Sequence, residues 1–329
     1  MTDTIFAVVG CGLIGCKRIA SLPMNSSLKY VFDIVQANAE RAAVLVQYPV
    51  IIASSLESIL EDKSVDVVVI ATTHGELVPI AIRAINAGHH VLIEKPGGIS
   101  LHEMQQLRYL VGSTTLKVHV GFNHRFHPAL IEAKAIIDSN RFGKLLWLRG
   151  RYGHGGRIGY ENEWRLDRSK SGGGEFVDQG SHLVDLCRYF SGDVELVFSE
   201  IKTAFWNTEV EDNVFFALRP KTGGFAWMHA SWTEWKNLFS FEITLERAKI
   251  EISGLGGSYG VETLTLYEMQ PEMGRPPSST KTWDETDVSW TLELEDLIAN
   301  IFNPGHIPTG TTIDGALAVW EIIEKAYGI

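Results

Sequence analysis

Cysteine, basic charge and long apolar runs are all scarce in this chain of 329 residues. Its three cysteines form no C-x-x-C pair, which excludes a disulfide framework and is typical of a reducing compartment. The 29 Lys and Arg are outnumbered by 40 Asp and Glu, and the net charge of −11 disfavours a phosphate-backbone partner. Neither a signal peptide nor an apolar run of the ~20 residues that span a membrane is recognisable. We therefore predict a cytoplasmic protein that binds neither nucleic acid nor a membrane.

The composition is that of a folded protein with a sizeable core. Hydrophobic residues make up 45% and charged residues 21%, and at ~150 residues per domain the length predicts two domains. The first part alternates apolar strands with amphipathic helices, an order that predicts a doubly wound parallel sheet. The predicted strands are 5–9, 30–34, 66–71, 90–93 and 117–121, and the predicted helices are 13–22, 37–47, 76–87 and 101–111.

After residue 122 the pattern changes to long alternating segments with short turns, which predicts antiparallel pairing. We therefore divide the chain into an α/β domain, 1–122, and an α+β domain with a mainly antiparallel sheet, 123–329. The second domain is expected to hold strands at 145–152, 194–205, 214–218, 225–235, 239–245 and 262–267, with helices at 128–139, 292–302 and 314–327.

A dinucleotide-binding fingerprint stands between the first strand and the first helix. Gly10 allows the tight turn, Gly12 lets the backbone approach a pyrophosphate, and Gly15 lets helix and strand pack closely. Asp33 ends the second strand, where a carboxylate binds the ribose hydroxyls and repels a 2′-phosphate. No Lys or Arg follows before Arg41, so NAD is favoured over NADP. The alternative is an ordinary βα turn beside a surface aspartate.

Three side chains are candidates for acid–base chemistry. Lys95 stands just past the carboxyl end of a strand, the edge at which doubly wound sheets bind ligands. Asp178 and His182 are four residues apart and, on a helix, would share one face. The three together would offer a cation, an imidazole and a carboxylate to orient it. By itself, an Asp/His pair at this spacing is more often a surface or capping pair.

The order of these and further motifs resembles a known family over residues 5–190. The resemblance is to the glucose–fructose oxidoreductase, inositol dehydrogenase and rhizopine-catabolism (Gfo/Idh/MocA) family. Beyond the glycine-rich turn and Asp33, the matching motifs are the strand end at Thr72, Glu94-Lys95-Pro96, the segment G-F-N-H-R-F-H-P at 121–128, Trp164-Arg165 and the glycine-rich segment 172–185.

This resemblance implies a Rossmann domain that binds NAD, an α+β domain with a large open sheet, and oxidation of a ring hydroxyl in a sugar or cyclitol. The implied catalytic residues are Lys95, Asp178 and His182. The implied cofactor contacts are Gly10, Gly12, Leu13, Ile14, Gly15, Asp33, Thr72, Glu94, Lys95 and Asn123. The implied substrate contacts are Lys95, Arg125, Trp164, Arg165, Asp178 and His182.

Two loops depart from the family pattern. After Thr72 the family often has Pro-Asn and then a histidine, whereas this chain has Thr73, His74 and Leu77. The segment after Asp33 is also slightly longer than usual. The cofactor contacts at 72–77, and those beyond Asp33, therefore stay open.

The chemistry of a secondary alcohol assigns a role to each catalytic candidate. Hydride leaves carbon only as the hydroxyl proton leaves oxygen, so a base must lie within hydrogen-bond reach, and His182 is the candidate for that base. Lys95 would stabilise the developing alkoxide, and Asp178 would orient the imidazole or bind a neighbouring hydroxyl. Two alternatives stay open: a sensor that binds the dinucleotide without turnover, and a reductase that works on a keto-sugar.

A basic segment bears on the substrate. Residues 141–170 hold eight basic side chains against three acidic ones in a chain of net charge −11. A phosphate or carboxylate on the substrate would explain this, as in nucleotide sugars or acidic sugars. The other interpretation is a solvated strand edge with ion pairs at a subunit interface. Trp164 would stack on a sugar face or serve the fold.

We predict no metal site, because His119, His124 and His127 lack the further ligands that a metal needs. The second sheet indicates an oligomer. In the strand 225–235, Phe225, Trp227 and Trp235 point to one face, whereas Met228 and Trp232 point to the other. A sheet that is apolar on both faces needs two covers, and a second subunit would supply one of them, giving a homodimer or homotetramer. Helices of the same chain are the alternative cover.

Overall fold

The computed structural model describes residues 3–284 and 286–329, which divide into two compact units. The first unit is Met1–Asn123 with Trp290–Ala318, and the second is His124–Ser289 with Val319–Ile329. The predicted domain boundary after residue 122 lies next to the observed one after Asn123. The segment Trp290–Ala318, however, belongs to the first unit rather than to the second. In the described ranges, no helix is long and apolar enough to cross a membrane.

The first unit is a doubly wound α/β unit, as predicted. Its sheet has the order β15-β6-β5-β4-β1-β2-β3, and all neighbours are parallel except β15 and β6. Its elements before residue 123 are β1 (Thr4–Val9), α1 (Leu13–Ala20), β2 (Ser26–Phe32), α2 (Gln36–Ala43), β3 (Ile51–Ile52), α3 (Leu56–Leu60), β4 (Val67–Ile70), α4 (His74–Asn86), β5 (His90–Glu94), α5 (Leu101–Gly112) and β6 (Val118–Gly121).

The late segment joins the first unit because its apolar side chains complete that unit's core. Helix α9 (Ser289–Phe302) places Leu294 and Leu297 in one buried cluster with Phe6 and Val69. The short strand β15 (Thr311–Thr312) then adds to the edge of the sheet, and α10 (Ile313–Tyr327) follows it. A predicted second domain that runs on to residue 329 assigns these apolar residues to the wrong core.

The second unit contains an eight-stranded, mainly antiparallel sheet of order β14-β13-β12-β11-β7-β10-β9-β8. Within the described part of this second sheet, the one parallel pair is β7 with β10. This confirms the predicted α+β architecture. Its elements are α6 (Pro128–Asp138), β7 (Leu145–Gly153), α7 (Arg168–Ser171), α8 (Ser181–Ser191), β8 (Val194–Lys202), β9 (Asn213–Pro220), β10 (Phe225–Ser231), β11 (Leu238–Leu245), β12 (Ala248–Ser253), β13 (Glu262–Glu268) and β14 (Ser278–Trp283).

Several elements of this sheet differ from the prediction. Strand β8 ends at Lys202, because the Asp212 carboxylate accepts the amide N–H groups of 204–206 and turns the chain there. Strand β10 ends at Ser231, and Trp235 adopts a left-handed φ of 56°. The sequence analysis missed β12 and the exposed edge strand β14 altogether.

Candidate functional site

The glycine-rich turn of the first unit has the geometry that its three glycines predict. Gly10 has a φ of +89°, and a Cβ there would lie 2.5 Å from the carbonyl oxygen of Ala71. A Cβ on Gly15 would lie 1.9 Å from the carbonyl oxygen of Gly10. Gly12 caps α1 in extended conformation, and nothing lies within 4 Å of a Cβ built on it. Two glycines thus serve chain packing, and Gly12 faces open space at a helix N-terminus, the place for an anion.

Asp33 is tied to the same turn. Its carboxylate accepts the amide N–H of Cys11 at 2.7 Å, the amide N–H of Val35 at 2.8 Å and the Asn38 side chain at 3.3 Å. Arg41 donates to Asn38 at 2.8 Å. Asp33 therefore orders the turn while standing at the end of β2.

The remaining predicted cofactor contacts near this turn lie beside it in the first unit. Leu13 is 76% exposed at the start of α1, and Ile14 follows it, half-buried. Thr72 is half-buried next to the position that a Gly10 Cβ would occupy. The departing loop folds into the unit instead of extending from it, because Thr73 precedes α4 while His74 and Leu77 are buried within that helix. Burial also raises the pKa of Cys11 to about 12, so its thiol is a small buried filler at neutral pH.

Lys95, half-buried, directly follows the last residue of β5. Glu94 before it is buried, and its carboxylate accepts a hydrogen bond from Arg18 Nε at 2.5 Å. Asn123 is 4% exposed and begins a short 3₁₀ helix after β6. The carboxyl ends of β5 and β6 are adjacent in the sheet, so these predicted cofactor residues lie at one edge.

In the second unit, the helical segment that carries Asp178 and His182 begins as a π-helix instead of a regular α-helix. Phe176–Gly180 is a π-helix that leads into α8, so Asp178 lies in the wide turn and His182 in the helix. A π-turn closes its hydrogen bonds from i to i+5, so it is wider than an α-helical turn. Such turns are frequent at functional sites.

Glu211 explains the glycines that precede this π-turn. Its carboxylate accepts the amide N–H groups of Gly174 and Phe176, and its carbonyl accepts that of Glu175. A Cβ on Gly174 would lie 2.0 Å from the Glu211 carbonyl oxygen, and one on Gly173 would lie 2.2 Å from the hydroxyl of Tyr327. Small residues here thus let a buried carboxylate dock onto the turn that carries Asp178.

Asp178 lies in a buried polar cluster. Its carboxylate is 3.6 Å from Arg165 Nε, so the structure brings together two of the predicted substrate residues. Burial, with Tyr259 and the carboxylates of Asp178 and Glu175 adding to it, raises the pKa of Tyr152 well above its usual value. Burial likewise raises the pKa of Tyr259 to about 12. Both phenols therefore stay protonated and can donate hydrogen bonds.

His182 is stacked on a second histidine that the sequence analysis did not select. The His182 and His124 rings are 3.7 Å apart at 18°, and both residues are about 95% buried, at 4% and 6% exposure. Two unit charges at that distance repel by about 4 kcal/mol at an effective dielectric constant of 20. A charge on one of the two rings would therefore strongly disfavour a charge on the other. His124 stood in the quoted 121–128 motif, which was the signal that could have found it.

Two further predicted substrate residues have partners within the second unit. Arg125 forms a bidentate ion pair with Asp185 of α8, with distances of 2.8 and 2.6 Å. This pair anchors the helix that carries His182. Trp164 begins a 3₁₀ turn, and the Arg165 guanidinium carbon lies 4.7 Å from the centre of its ring.

The basic segment 141–170 is largely neutralised by carboxylates. Five of its eight basic side chains pair with an acidic one, namely Arg141 with Glu268, Arg149 with Glu242, Arg157 with Glu163, Arg165 with Glu163 and Asp178, and Lys170 with Asp167. Arg149 and Arg151 lie on the exposed face of β7. The segment thus forms ion pairs within the chain, and β7 lies between β11 and β10 in the sheet rather than at its edge.

The three histidines that were set aside as metal ligands do not form one group: the His124 and His127 rings are 5.5 Å apart in the second unit, whereas His119 belongs to the first unit. His119 lies in β6 of the first unit and contacts Asn300 at 3.2 Å. His127 of the second unit contacts the buried Glu262 at 3.0 Å. Among residues 3–284 and 286–329 no group of three or more His, Cys, Asp or Glu is arranged to hold a metal ion.

Comparison with protein families gives two matches along the chain. Residues 5–122 match the model described as oxidoreductase family, NAD-binding Rossmann fold. Residues 130–254 match the GFO/IDH/MocA C-terminal domain. The two matches cover the glycine-rich turn, Lys95, Asp178 and His182.

Named relatives agree with these matches. A scyllo-inositol 2-dehydrogenase (NAD(+)) of Bacillus subtilis (strain 168) is 31% identical over 56% of this chain and 53% of that protein. A 1,5-anhydro-D-fructose reductase of Ensifer adhaerens is 29% identical over 94% of this chain and 92% of that protein. The chain spans about half the length of other curated relatives that it matches, from 39% to 62%.

A solved structure of a levoglucosan dehydrogenase in complex with NADH is similar in fold. Its TM-score is 0.87 at 22% identity, and the match covers 99% of this chain and 98% of that one. Identity this low shows the fold alone.

Proposed function

Because the chain belongs to the Gfo/Idh/MocA family of NAD-binding oxidoreductases, we propose that it oxidises a secondary ring hydroxyl of a neutral sugar or cyclitol. One observation carries the proposal. The buried polar cluster of the second unit combines a stacked imidazole pair with the Asp178 carboxylate and two protonated phenols. A protein that only senses a dinucleotide does not need buried acid–base groups of this kind.

The glycine-rich turn fits NAD. The open space in front of Gly12, together with the N-terminal amides of α1, suits a pyrophosphate, and Asp33 stands where a ribose would lie. Bound NAD supplies the hydride acceptor, and the protein supplies placement and charge.

We assign the proton chemistry to side chains of this chain. His182 accepts the hydroxyl proton, and His124 stacked on it helps to disperse the charge that His182 gains. Lys95 donates a hydrogen bond to the same hydroxyl oxygen and stabilises its developing charge. Asp178, held near Arg165, accepts a hydrogen bond from a neighbouring hydroxyl.

The charge pattern favours a neutral substrate. A phosphate or carboxylate needs cations that are available to it, and five of the eight basic side chains in 141–170 already bind carboxylates. Asp178 and the buried Glu175 would also repel an anion. Carboxylates and phenols instead match the donors and acceptors of a polyol.

A substrate panel tests the proposal. Inositols, anhydrosugars, free sugars, sugar acids and nucleotide sugars are supplied with NAD or NADP, and keto-sugars with the reduced cofactors, while absorbance at 340 nm is followed. We expect turnover with neutral ring polyols or their ketones.

We also expect NAD to bind at least tenfold more tightly than NADP, a difference of about 1.4 kcal/mol, because Asp33 repels a 2′-phosphate. Turnover confined to anionic sugars, or equal dissociation constants, would contradict these expectations.

We also propose that the chain forms a homodimer or homotetramer through the second sheet. The strand β10 buries Ala226 and Met228 on one face and exposes Phe225 and Trp227 at 39% and 41% on the other. Phe198, 44% exposed, stacks on Trp227 with ring centres 5.7 Å apart. A broad aromatic surface of this kind favours burial against a second copy.

Light scattering checks the assembly. We expect a multiple of 36.6 kDa at micromolar concentration, and a shift to the monomer in Trp227→Glu, because a buried charge at the interface costs several kcal/mol. Tyr109→Glu, at an 86% exposed site on α5, is the matched control and should keep the oligomer. A wild-type protein of 36.6 kDa would refute the proposal.

A further inference from the structure

A fully buried arginine joins three elements of the first unit. Arg18 lies on α1, is 0% exposed, and donates from Nε to Glu94 at 2.5 Å and from Nη1 to Glu293 at 2.6 Å. Glu94 ends β5, and Glu293, also 0% exposed, lies on α9. The helix that begins at the glycine-rich turn is thereby connected to the residue before Lys95.

The neighbouring residues are shaped around this guanidinium. Trp290 packs its indole against it, with the guanidinium carbon 4.5 Å from the ring centre. Gly121 at the end of β6 has no side chain, and a Cβ there would lie 2.5 Å from Arg18 Nη2 and 3.2 Å from the Glu94 oxygens. The glycine of the G-F-N motif thus makes room for the Arg18–Glu94 pair.

Stability alone is a weak reason to keep these charges in the interior. Taking charged groups out of water costs several kcal/mol per ion, and apolar residues of similar volume are often equally or more stabilising. Burial opposes the charge of Arg18, but Glu94 and Glu293 hold the pKa of Arg18 above its usual value, so the guanidinium stays charged. What the guanidinium adds is direction, because its planar fork donates to each carboxylate in a fixed geometry.

We propose that Arg18 is a positioning residue for Lys95, and that it acts through Glu94. The ion pair fixes the carboxyl end of β5 against α1, the helix that begins at the glycine-rich turn. The backbone that leads into Lys95 is then held in one place relative to that helix. This inference rests on the proposed function, in which Lys95 binds the reacting oxygen.

Glu94 and Glu293 allow a matched comparison. Arg18 binds both carboxylates, and each can be replaced by the isosteric amide. Glu94→Gln and Glu293→Gln therefore each remove one negative charge next to the same guanidinium. Only Glu94 is bonded in sequence to Lys95, whereas Glu293 lies on a separate helix. A purely structural cluster predicts similar effects for both variants, and a positioning role predicts different ones.

We expect similar decreases in melting temperature in the two variants. In a fluorescence titration, the dissociation constant for NADH should stay within about threefold of that of the wild type in both. Turnover should separate them. Glu94→Gln should lower kcat by at least about tenfold with KM little changed, because a misplaced Lys95 weakens an interaction formed in the transition state. Glu293→Gln should keep kcat within about threefold. Equal kcat in the two variants would overturn the inference.

A double variant tests whether Glu94 acts through Lys95. If it does, adding Glu94→Gln to the Lys95→Ala variant should lower kcat by less than about twofold, because the residue being positioned is gone. Losses that multiply would show that Glu94 acts independently, and a weaker NADH affinity in Glu94→Gln would make it a cofactor contact instead. Wild-type turnover in Lys95→Ala would remove the assignment of Lys95 and the positioning role together. A loss in Lys95→Ala without one in Glu94→Gln would remove the positioning role alone.

Discussion

Replacing Lys95 or His182 by alanine is expected to lower kcat/KM by ~10²–10⁴, the usual contribution of a positioned acid–base group. His182 is 4% exposed, so bulk water is poorly placed to take over its role. Lys95 directly follows Glu94, the last residue of β5, whose carboxylate is bound to Arg18. This ion pair limits how far the backbone can move to bring another donor into the place of Lys95. Steady-state kinetics with a substrate identified by the panel measure both losses.

The controls for this prediction are the cofactor affinity and the double variant. NAD affinity should change by less than about fivefold in each single variant, because the glycine-rich turn and Asp33 are untouched. Lys95→Ala/His182→Ala should cost far less than the product of the two single losses, since both side chains serve one transition state. If both single variants keep wild-type turnover, the assignment of the active residues is wrong.

The parts of this fold that the sequence predicted are those with local signals. Buried strands such as β4 read as continuous apolar runs, and a glycine in a βα turn has a steric reason that one residue can reveal. The glycine-rich turn and Asp33 were found because the spacing along the chain carries the geometry. The same holds for the mainly antiparallel second sheet, whose strands alternate in polarity.

The parts that were missed depend on residues far apart in the chain. Glu211 lies 37 residues after Gly174, and its carboxylate holds the start of the π-turn that carries Asp178. The return of Trp290–Ala318 to the first unit depends on Leu294 meeting Phe6. Neither contact can be predicted from a short stretch of sequence, because its partners are far apart in the chain.

Charged residues were the hardest to interpret. The motif that predicts Arg125 as a substrate contact gave no sign of its ion pair with Asp185. The basic surplus of 141–170 suggested an anionic ligand because its partners, such as Glu242 and Glu268, lie about a hundred residues away. A sequence shows where charge lies along the chain, but only the fold shows which charges are already paired.

Gly12→Val is expected to lower NAD affinity by at least about 100-fold while leaving the fold intact. Gly12 caps α1 with φ −72° and ψ −163°, a conformation open to any residue, and its Cβ would meet nothing within 4 Å. The added side chain would instead occupy the space that we assign to the pyrophosphate. Fluorescence titration with NADH measures the affinity, and thermal unfolding without cofactor should show stability within about 0.5 kcal/mol of wild type.

Gly15→Ala, three residues away, is the matched contrast. Its single methyl group would lie 1.9 Å from the carbonyl oxygen of Gly10, so α1 must move away from the turn. We expect a loss of stability of about 1–3 kcal/mol, the usual cost of overpacking, together with weaker NADH binding. Gly12→Val thus separates binding from folding, whereas Gly15→Ala couples them. Wild-type NADH affinity in Gly12→Val would mean that the pyrophosphate does not lie at this turn.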